Sequence, residues 1–253
     1  MAADDFLASS DMPDLVRKVR ARTPARLLTG RVGAAYRTAT QIELREAHAS
    51  ARDAVRMELD LERDLGRPLL ERWKLFEVCT MASNKDEYLM QPDRGRNFRD
   101  DSREKIRAHC PMSPALQIAV GDGLSVTAVR SQVPSLLPLL CEGAEARGWS
   151  VGQTFVIRHC RVGILNEIGE LLRPTVAVLL IGERPGLSTS ESLSAYMAFG
   201  PDHTHSDADR NLISNIHARG IVVREAATRI LNFADLMMAT GISGSLLKEE
   251  TTK

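Results

Sequence analysis

Hydrophobic positions along this chain follow two rhythms. Through residues 40–65, Ile42, Leu44, Ala47, Ala51, Val55 and Leu59 recur mostly three or four residues apart between charged side chains, which predicts one amphipathic helix. Thr40, with Glu43 three residues on, offers a capping box at its start, and Gly66-Arg67-Pro68 supplies a stop. Residues 14–22 predict a shorter, basic helix. A second apolar segment covers residues 69–81, followed by a polar stretch and a turn at Pro92-Asp93-Arg94-Gly95. From residue 116 the rhythm changes. Short apolar runs at 116–120, 154–162 and 175–181 read as strands, the last of them the cleanest buried strand in the chain. Between them, residues 126–148 show a helical pattern broken by Pro134 and Pro138, and residues 164–172 read as a second helix. A further strand at 212–216 and a terminal helix at 223–240 complete the series. Strand and helix in this alternation predict an α/β fold. A helical N-terminal domain (residues 1–100) precedes a Rossmann-like domain with a mostly parallel sheet (residues 101–253).

In such a sheet ligands bind beyond the carboxyl ends of the strands. Three loops fall there, after Val120, Val162 and Ile181. Glycine and proline concentrate in the first and third, where backbone must approach something closely.

Composition narrows the chemistry. The 253 residues carry 33 Lys and Arg against 33 Asp and Glu, so no global basic field exists to hold nucleic acid or an anionic membrane. Aromatics at 4% leave little for a base-stacking platform. No apolar run is long enough to span a bilayer, and the acidic opening residues do not resemble a signal peptide, so the chain is expected in the cytoplasm. Four widely spaced cysteines, without Cys-x-x-Cys, read as reduced thiols.

Individual motifs each carry a plain structural alternative. Gly121-Asp122-Gly123 begins a dinucleotide fingerprint, but Val126 stands where the third glycine belongs and Asp122 would face the pyrophosphate. The segment Asp202-His203-Thr204-His205-Ser206-Asp207 has metal-ligand composition yet reads as a solvated loop, because adjacency does not supply a converging site. His159 and Cys160 read as a satisfied core pair rather than a nucleophile with its base. Glu183 closes an apolar strand beside Arg184. Its carboxylate either accepts hydrogen bonds from a ligand's amides or pairs with an arginine.

The run Leu180-Ile181-Gly182-Glu183-Arg184-Pro185-Gly186-Leu187, followed by Ser190-Glu191-Ser192-Leu193, resembles the small subunit of ethanolamine ammonia-lyase. Further blocks agree in order: Arg22-Thr23-Pro24-Ala25-Arg26 with Gly30-Arg31-Val32-Gly33, Pro92-Asp93-Arg94-Gly95-Arg96, Asp122-Gly123-Leu124-Ser125, Arg161-Val162, and Arg210-Asn211 with Ile213-Ser214-Asn215-Ile216. The resemblance implies a subunit of an adenosylcobalamin-dependent lyase that converts ethanolamine to acetaldehyde and ammonia by a radical route. It implies a partner, a large (β/α)-barrel subunit that holds the substrate, with cobalamin clamped between the two chains inside a larger hetero-oligomer. Related systems place the enzyme in a protein-shelled microcompartment. Carried over residue by residue, the cobalamin contacts are Val162, Glu183 and Leu212, with Leu212 standing where the family has a cysteine. Asn166 stands where an acid is usual, and Arg94 where an apolar residue is usual. The alternative reading is a stand-alone α/β protein that binds a metabolite or nucleotide.

Overall fold

A computed structural model describes residues 14–22, 27, 29, 31–186 and 189–248. Thr23 to Arg26, Gly30 and Leu187, which belong to the matching blocks, lie outside the described residues, as do residues 1–13. The elements in chain order are α1 (Asp14–Ala21), a small hairpin of β1 (Arg31–Val32) and β2 (Ala35–Tyr36), α2 (Thr38–Arg56), α3 (Leu61–Leu65) and α4 (Arg67–Arg72). Next come β3 (Phe76–Cys79), α5 (Lys85–Met90), a 3₁₀ turn (Pro92–Arg96), α6 (Asp100–His109), β4 (Leu116–Gly121), α7 (Val126–Glu145), β5 (Phe155–Arg158) and α8 (Ile164–Leu172). The chain ends with β6 (Val176–Gly182), β7 (Leu193–Phe199), β8 (Asn211–Ile216) and α9 (Val223–Thr240).

The fold is α/β, built on a six-stranded sheet in the order β3-β5-β4-β6-β7-β8. The first four strands pair in parallel, whereas β7 and β8 join antiparallel. Alternation along β4 and β6 sorts their side chains to two faces. Leu116, Ile118, Val120, Val176, Val178 and Leu180 pack with residues of α7 and α9. Ala119, Ala177, Leu179 and Ile181 pack with residues of α6 and α8. Both β4 and β6 are therefore buried on each side, which is why β6 is an unbroken apolar run and β4 is apolar apart from buried Gln117.

Several expectations shift in detail. The predicted helix at 40–65 is two helices: α2 stops at Arg56 and α3 begins after Asp60, whose side chain accepts a hydrogen bond from the Arg63 N–H. Between them Leu59 turns into the core, so the apolar rhythm continues while the helix does not. Thr40 is not a cap. It lies buried inside α2, and Arg37 at the cap position makes no side-chain bond to the helix. The apolar segment at 69–81 divides into α4 and β3, with Lys74 in the left-handed region (φ 47°) at the corner. Strand β3 comes from the first hundred residues, yet it forms the sheet edge beside β5. Strand β7 has no counterpart among the predicted elements.

Helix α7 runs unbroken through Pro134 and Pro138. An interior proline costs about 3 kcal/mol. Buried Val126, Val129, Val133, Leu136, Leu137 and Leu140 contribute roughly 1.5–3 kcal/mol each, which is enough to hold the helix together across both.

Candidate functional site

The crevice between the ends of β4 and β5, where a nucleotide would sit in a doubly wound sheet, is filled by the chain itself. Asp122 is fully buried, and its carboxylate accepts the backbone N–H groups of His159 (2.9 Å) and Cys160 (2.8 Å). The ammonium of buried Lys85 stands 3.5 Å from the same carboxylate and donates to the Gly123 carbonyl at 3.2 Å. The glycines serve this closure. A Cβ on Gly121 would lie 2.6 Å from the Cys160 sulfur, and one on Gly182 would lie 2.0 Å from the Ser125 carbonyl oxygen. Gly123 (φ +57°) would meet the Gly182 oxygen at 2.3 Å. The space that a pyrophosphate needs is therefore taken by neighbouring loops, and the partial glycine fingerprint is a packing device.

His159 and Cys160 are the core pair that their sequence setting suggests. His159 lies in the left-handed region (φ 58°) and is buried. Its Nδ1 is 3.2 Å from the Ala82 carbonyl oxygen, and its Nε2 is 3.2 Å from both Glu58 oxygens. Burial pushes the Cys160 thiol well above its usual range, so it holds no thiolate for nucleophilic chemistry at neutral pH. Glu58, Asp122 and His159 form the one group with metal-ligand proximity among the described residues. Asp122 is already committed to two N–H donors and Lys85 supplies the positive charge there.

Around the 202–209 loop, polar side chains bond to one another. Asp202 accepts from the Thr204 hydroxyl (2.6 Å) and lies 3.0 Å from His205 Nδ1, while Ser206 and Asp209 form a capping box. These bonds hold the Asp202 carboxyl far below its ordinary range. His203 pairs with Glu170 of α8 at 2.7 Å.

Across β6, β7 and β8 the sheet opens toward its edge: β6 is buried, whereas β8 is partly exposed. Glu183 follows β6, and both of its oxygens are engaged by the neighbouring strands. Oε2 accepts from the Ser192 hydroxyl at 2.7 Å. Oε1 accepts from the Ser194 hydroxyl and, at 3.3 Å, from the Asn215 backbone N–H. No arginine pairs with it among the described residues; its partners are neutral donors on β7 and β8. A carboxylate has about four acceptor positions, so one on Oε2 stays free.

The register places Leu179 opposite Tyr196, and Tyr196 opposite Leu212, so these three share one face of the sheet. Alternation along β6 puts Glu183 on that face with Ile181. Val162, just before α8, packs against the same apolar cluster as Tyr196. Leu212 is 46% exposed on the edge strand, and Val162 and Glu183 are half-buried. The three residues singled out in the sequence thus belong to one face. Glu183 lies four residues beyond the level of Leu212, roughly 13 Å along the strand direction.

A tie connects the two flanks of this face. Asn166 in the first turn of α8 accepts from Arg210 at 2.8 Å and donates to the His205 carbonyl at 2.8 Å. The segment bearing Val162 is thereby joined to the strand bearing Leu212. Ser192, Ser194, Asn215 and Arg210 are neighbours of these residues that sequence spacing does not mark. The two serines are separated by one buried leucine in a strand, a pattern that projects both hydroxyls to one face.

Comparison with known proteins gives a consistent answer. The profile of the ethanolamine ammonia-lyase light chain matches residues 13–248. An ethanolamine ammonia-lyase small subunit from Clostridium perfringens is 39% identical over 231 residues, which is 91% of this chain and 76% of that protein. One from Clostridium acetobutylicum is 36% identical over 91% of this chain and 93% of its own length. One from Pseudomonas syringae pv. tomato is 37% identical over 92% and 82%, respectively.

Proposed function

Because this chain belongs to the ethanolamine ammonia-lyase light-chain family, we propose that it is the cobalamin-contacting small subunit of a lyase that converts ethanolamine to acetaldehyde and ammonia. The observation that carries this reading is the open face bearing Val162, Glu183 and Leu212, with the Glu183 carboxylate held by Ser192, Ser194 and Asn215.

These residues fit adenosylcobalamin. A corrin rim of amide side chains needs hydrogen-bond acceptors and apolar area rather than a row of cations. Glu183 offers a fixed acceptor position on Oε2, and Leu212 offers exposed apolar surface. When bound, the cofactor supplies radical chemistry through homolysis of its cobalt–carbon bond. This chain's own part is to bind and orient. Ser192 and Ser194 fix the carboxylate so that an amide N–H meets an ordered oxygen, and Val162 and Leu212 cover ring edge. Catalytic groups and the substrate site belong, in this reading, to the large (β/α)-barrel subunit, and several pairs assemble into a hetero-oligomer.

The same reading divides the chain into residues 1–100 and 101–253, with β3 of the first stretch completing the sheet of the second, and places the enzyme in the cytoplasm. Among the described residues no helix is long and apolar enough to cross a membrane. A fluorescent fusion distributed through the cytoplasm is expected; puncta dependent on shell proteins would move the assignment to a microcompartment.

Co-expression with the large subunit tests the central claim. The complex should copurify and retain hydroxocobalamin, read from its visible absorption after desalting. A complex that assembles and retains cobalamin equally well after Glu183→Ala and Leu212→Asp are combined would reduce this chain to an assembly role. The stand-alone nucleotide-binding alternative loses its structural basis in the closed β4–β5 crevice.

A further inference from the structure

Beside the face just described lies a cavity of about 710 Å³, walled by α6, α8 and the loop before β8. Its lining includes Arg96 of the 3₁₀ turn, Gly163, next to Val162, and Arg210, two residues before Leu212. Its charges divide unevenly once partners are assigned. Glu167 accepts from the Phe98 N–H (2.5 Å) and from Arg103 (2.5 Å). Glu170 accepts from the backbone N–H of His203 (3.1 Å) and faces its imidazole. Asp207 is taken by Arg210. Every carboxylate of the lining is therefore committed within the chain.

The arginines are met less evenly: Arg103 is paired with Glu167 and Asp100, but the other three are not fully matched. Arg107 lines the cavity and makes no hydrogen bond or ion pair among the described residues. Arg96 has only a 3.4 Å contact with Asp93, whose side chain is 89% exposed. The Arg210 side chain is 4% exposed, and its Nε is buried without an acceptor. Desolvation lowers the pKa of Arg210, and nearby Arg96 acts in the same direction, although Asp207 opposes them. A buried guanidinium with an idle donor, beside two cations lacking firm counter-charges, is stabilised by an added anion.

We propose that this cavity binds one phosphate-type anion through Arg96, Arg107 and Arg210. The planar, forked donors of arginine suit the tetrahedral oxygens of phosphate, which accept two parallel hydrogen bonds from one guanidinium. Two sources carry this chemistry. One is the phosphodiester in the nucleotide loop of cobalamin, the only anionic group of that cofactor; this source rests on the cobalamin reading and on the continuity of the cavity with Val162 and Leu212. The other is free inorganic phosphate.

The test uses the assembled complex with the large subunit, wild type beside Arg96→Gln/Arg107→Gln and, separately, Arg210→Lys. Hydroxocobalamin, cobinamide (which lacks the nucleotide loop and its phosphate) and inorganic phosphate are each titrated, by visible absorption for the corrinoids and calorimetry for phosphate. Expected is a loss of cobalamin affinity of tenfold or more in the double variant, with cobinamide affinity changed less than twofold. Phosphate binding abolished by the double variant, with cobalamin affinity unchanged, assigns the site to free phosphate. Equal losses for cobalamin and cobinamide, or no effect on any titrant, overturn the proposal. A wild-type complex that binds phosphate but neither corrinoid would defeat the cobalamin reading and leave the anion site standing. Arg210→Lys keeps the charge; a weakened response there alongside an unchanged thermal midpoint separates anion binding from support of the fold.

Discussion

The β4–β5 crevice and the β6–β8 face lie in one sheet, yet their polar groups are used in opposite ways. At the crevice a carboxylate, Asp122, is completely buried and spends its oxygens on two backbone N–H groups and a buried lysine. At the open face a carboxylate, Glu183, is half-buried, bonded to neutral hydroxyls, and keeps an acceptor position. The first acid closes loops and the second presents an oxygen. A doubly wound sheet does not oblige its customary crevice to be the binding place. In the function proposed above, the antiparallel extension of β7 and β8 supplies a different one, because these strands carry serine hydroxyls up beside the end of β6.

Substitutions can break or sharpen this contrast. Asp122→Ala is expected to have the largest effect, since it leaves Lys85 buried without its counter-charge and two N–H groups without acceptors. Losing one partner of a buried pair costs about 3–5 kcal/mol, so urea denaturation should show a strongly lowered midpoint or an unfolded chain. A fully stable Asp122→Ala variant would place the crevice with the open face. Glu183→Ala should act on binding instead. A charged acceptor to an amide contributes about 1.5–3 kcal/mol, or roughly ten- to 150-fold in cobalamin dissociation constant, while the complex still assembles. An unfolded or unassembled Glu183→Ala complex would make the two acids alike.

Replacing Ser192 and Ser194 together by alanine should weaken cobalamin binding by up to about tenfold. The carboxylate stays but loses the two hydroxyls that fix its direction, so only part of the Glu183 contribution is lost. Titration of the double variant beside Glu183→Ala checks this; an effect as large as the Glu183→Ala loss would show that the hydroxyls themselves touch the ligand. Leu212→Cys should matter least. Both side chains present chiefly apolar surface, so cobalamin affinity should change by no more than about 1 kcal/mol. A tenfold gain on titration would show that a thiol makes a contact leucine cannot.

The sequence discloses the central strands because β6 is apolar throughout and β4 is apolar except for Gln117, and a short apolar run between turn residues suits a strand covered on each side. It conceals β7 because Leu193-Ser194-Ala195-Tyr196-Met197-Ala198-Phe199 mixes one serine and two alanines into the run, and Ser194 bonds Glu183 rather than joining the apolar core. Strand β3 is hidden because α4 and β3 share one apolar segment, separated only by a left-handed turn at Lys74. The end of α2 is hidden because Leu59 keeps helical spacing while serving the core from a non-helical segment. At the site, Glu183 stands out as an acid ending an apolar strand. What binds it cannot be read from spacing, since Ser192, Ser194 and Asn215 reach it through strand pairing across long loops. Asp122 raises the opposite problem: its neighbouring glycines suggest a ligand, and only the close approach of Cys160, Gly182 and Ser125 shows that they accommodate the chain itself.

Strand β8 forms one margin of the sheet and shows Leu212 to solvent. Among the described residues the following turn bonds back to the strand only at Asn215, through the Ile221 N–H, so the margin beside Leu212 is a template on which another extended segment can pair. For a cell, this turns gene dosage into a folding problem. Copies made in excess of whatever covers β8 have an adhesive edge from the moment they fold, and they are the copies that proteases and chaperones will meet first. Synthesis in step with a covering chain, as from one shared transcript, would keep the number of uncovered margins low without any change to the protein.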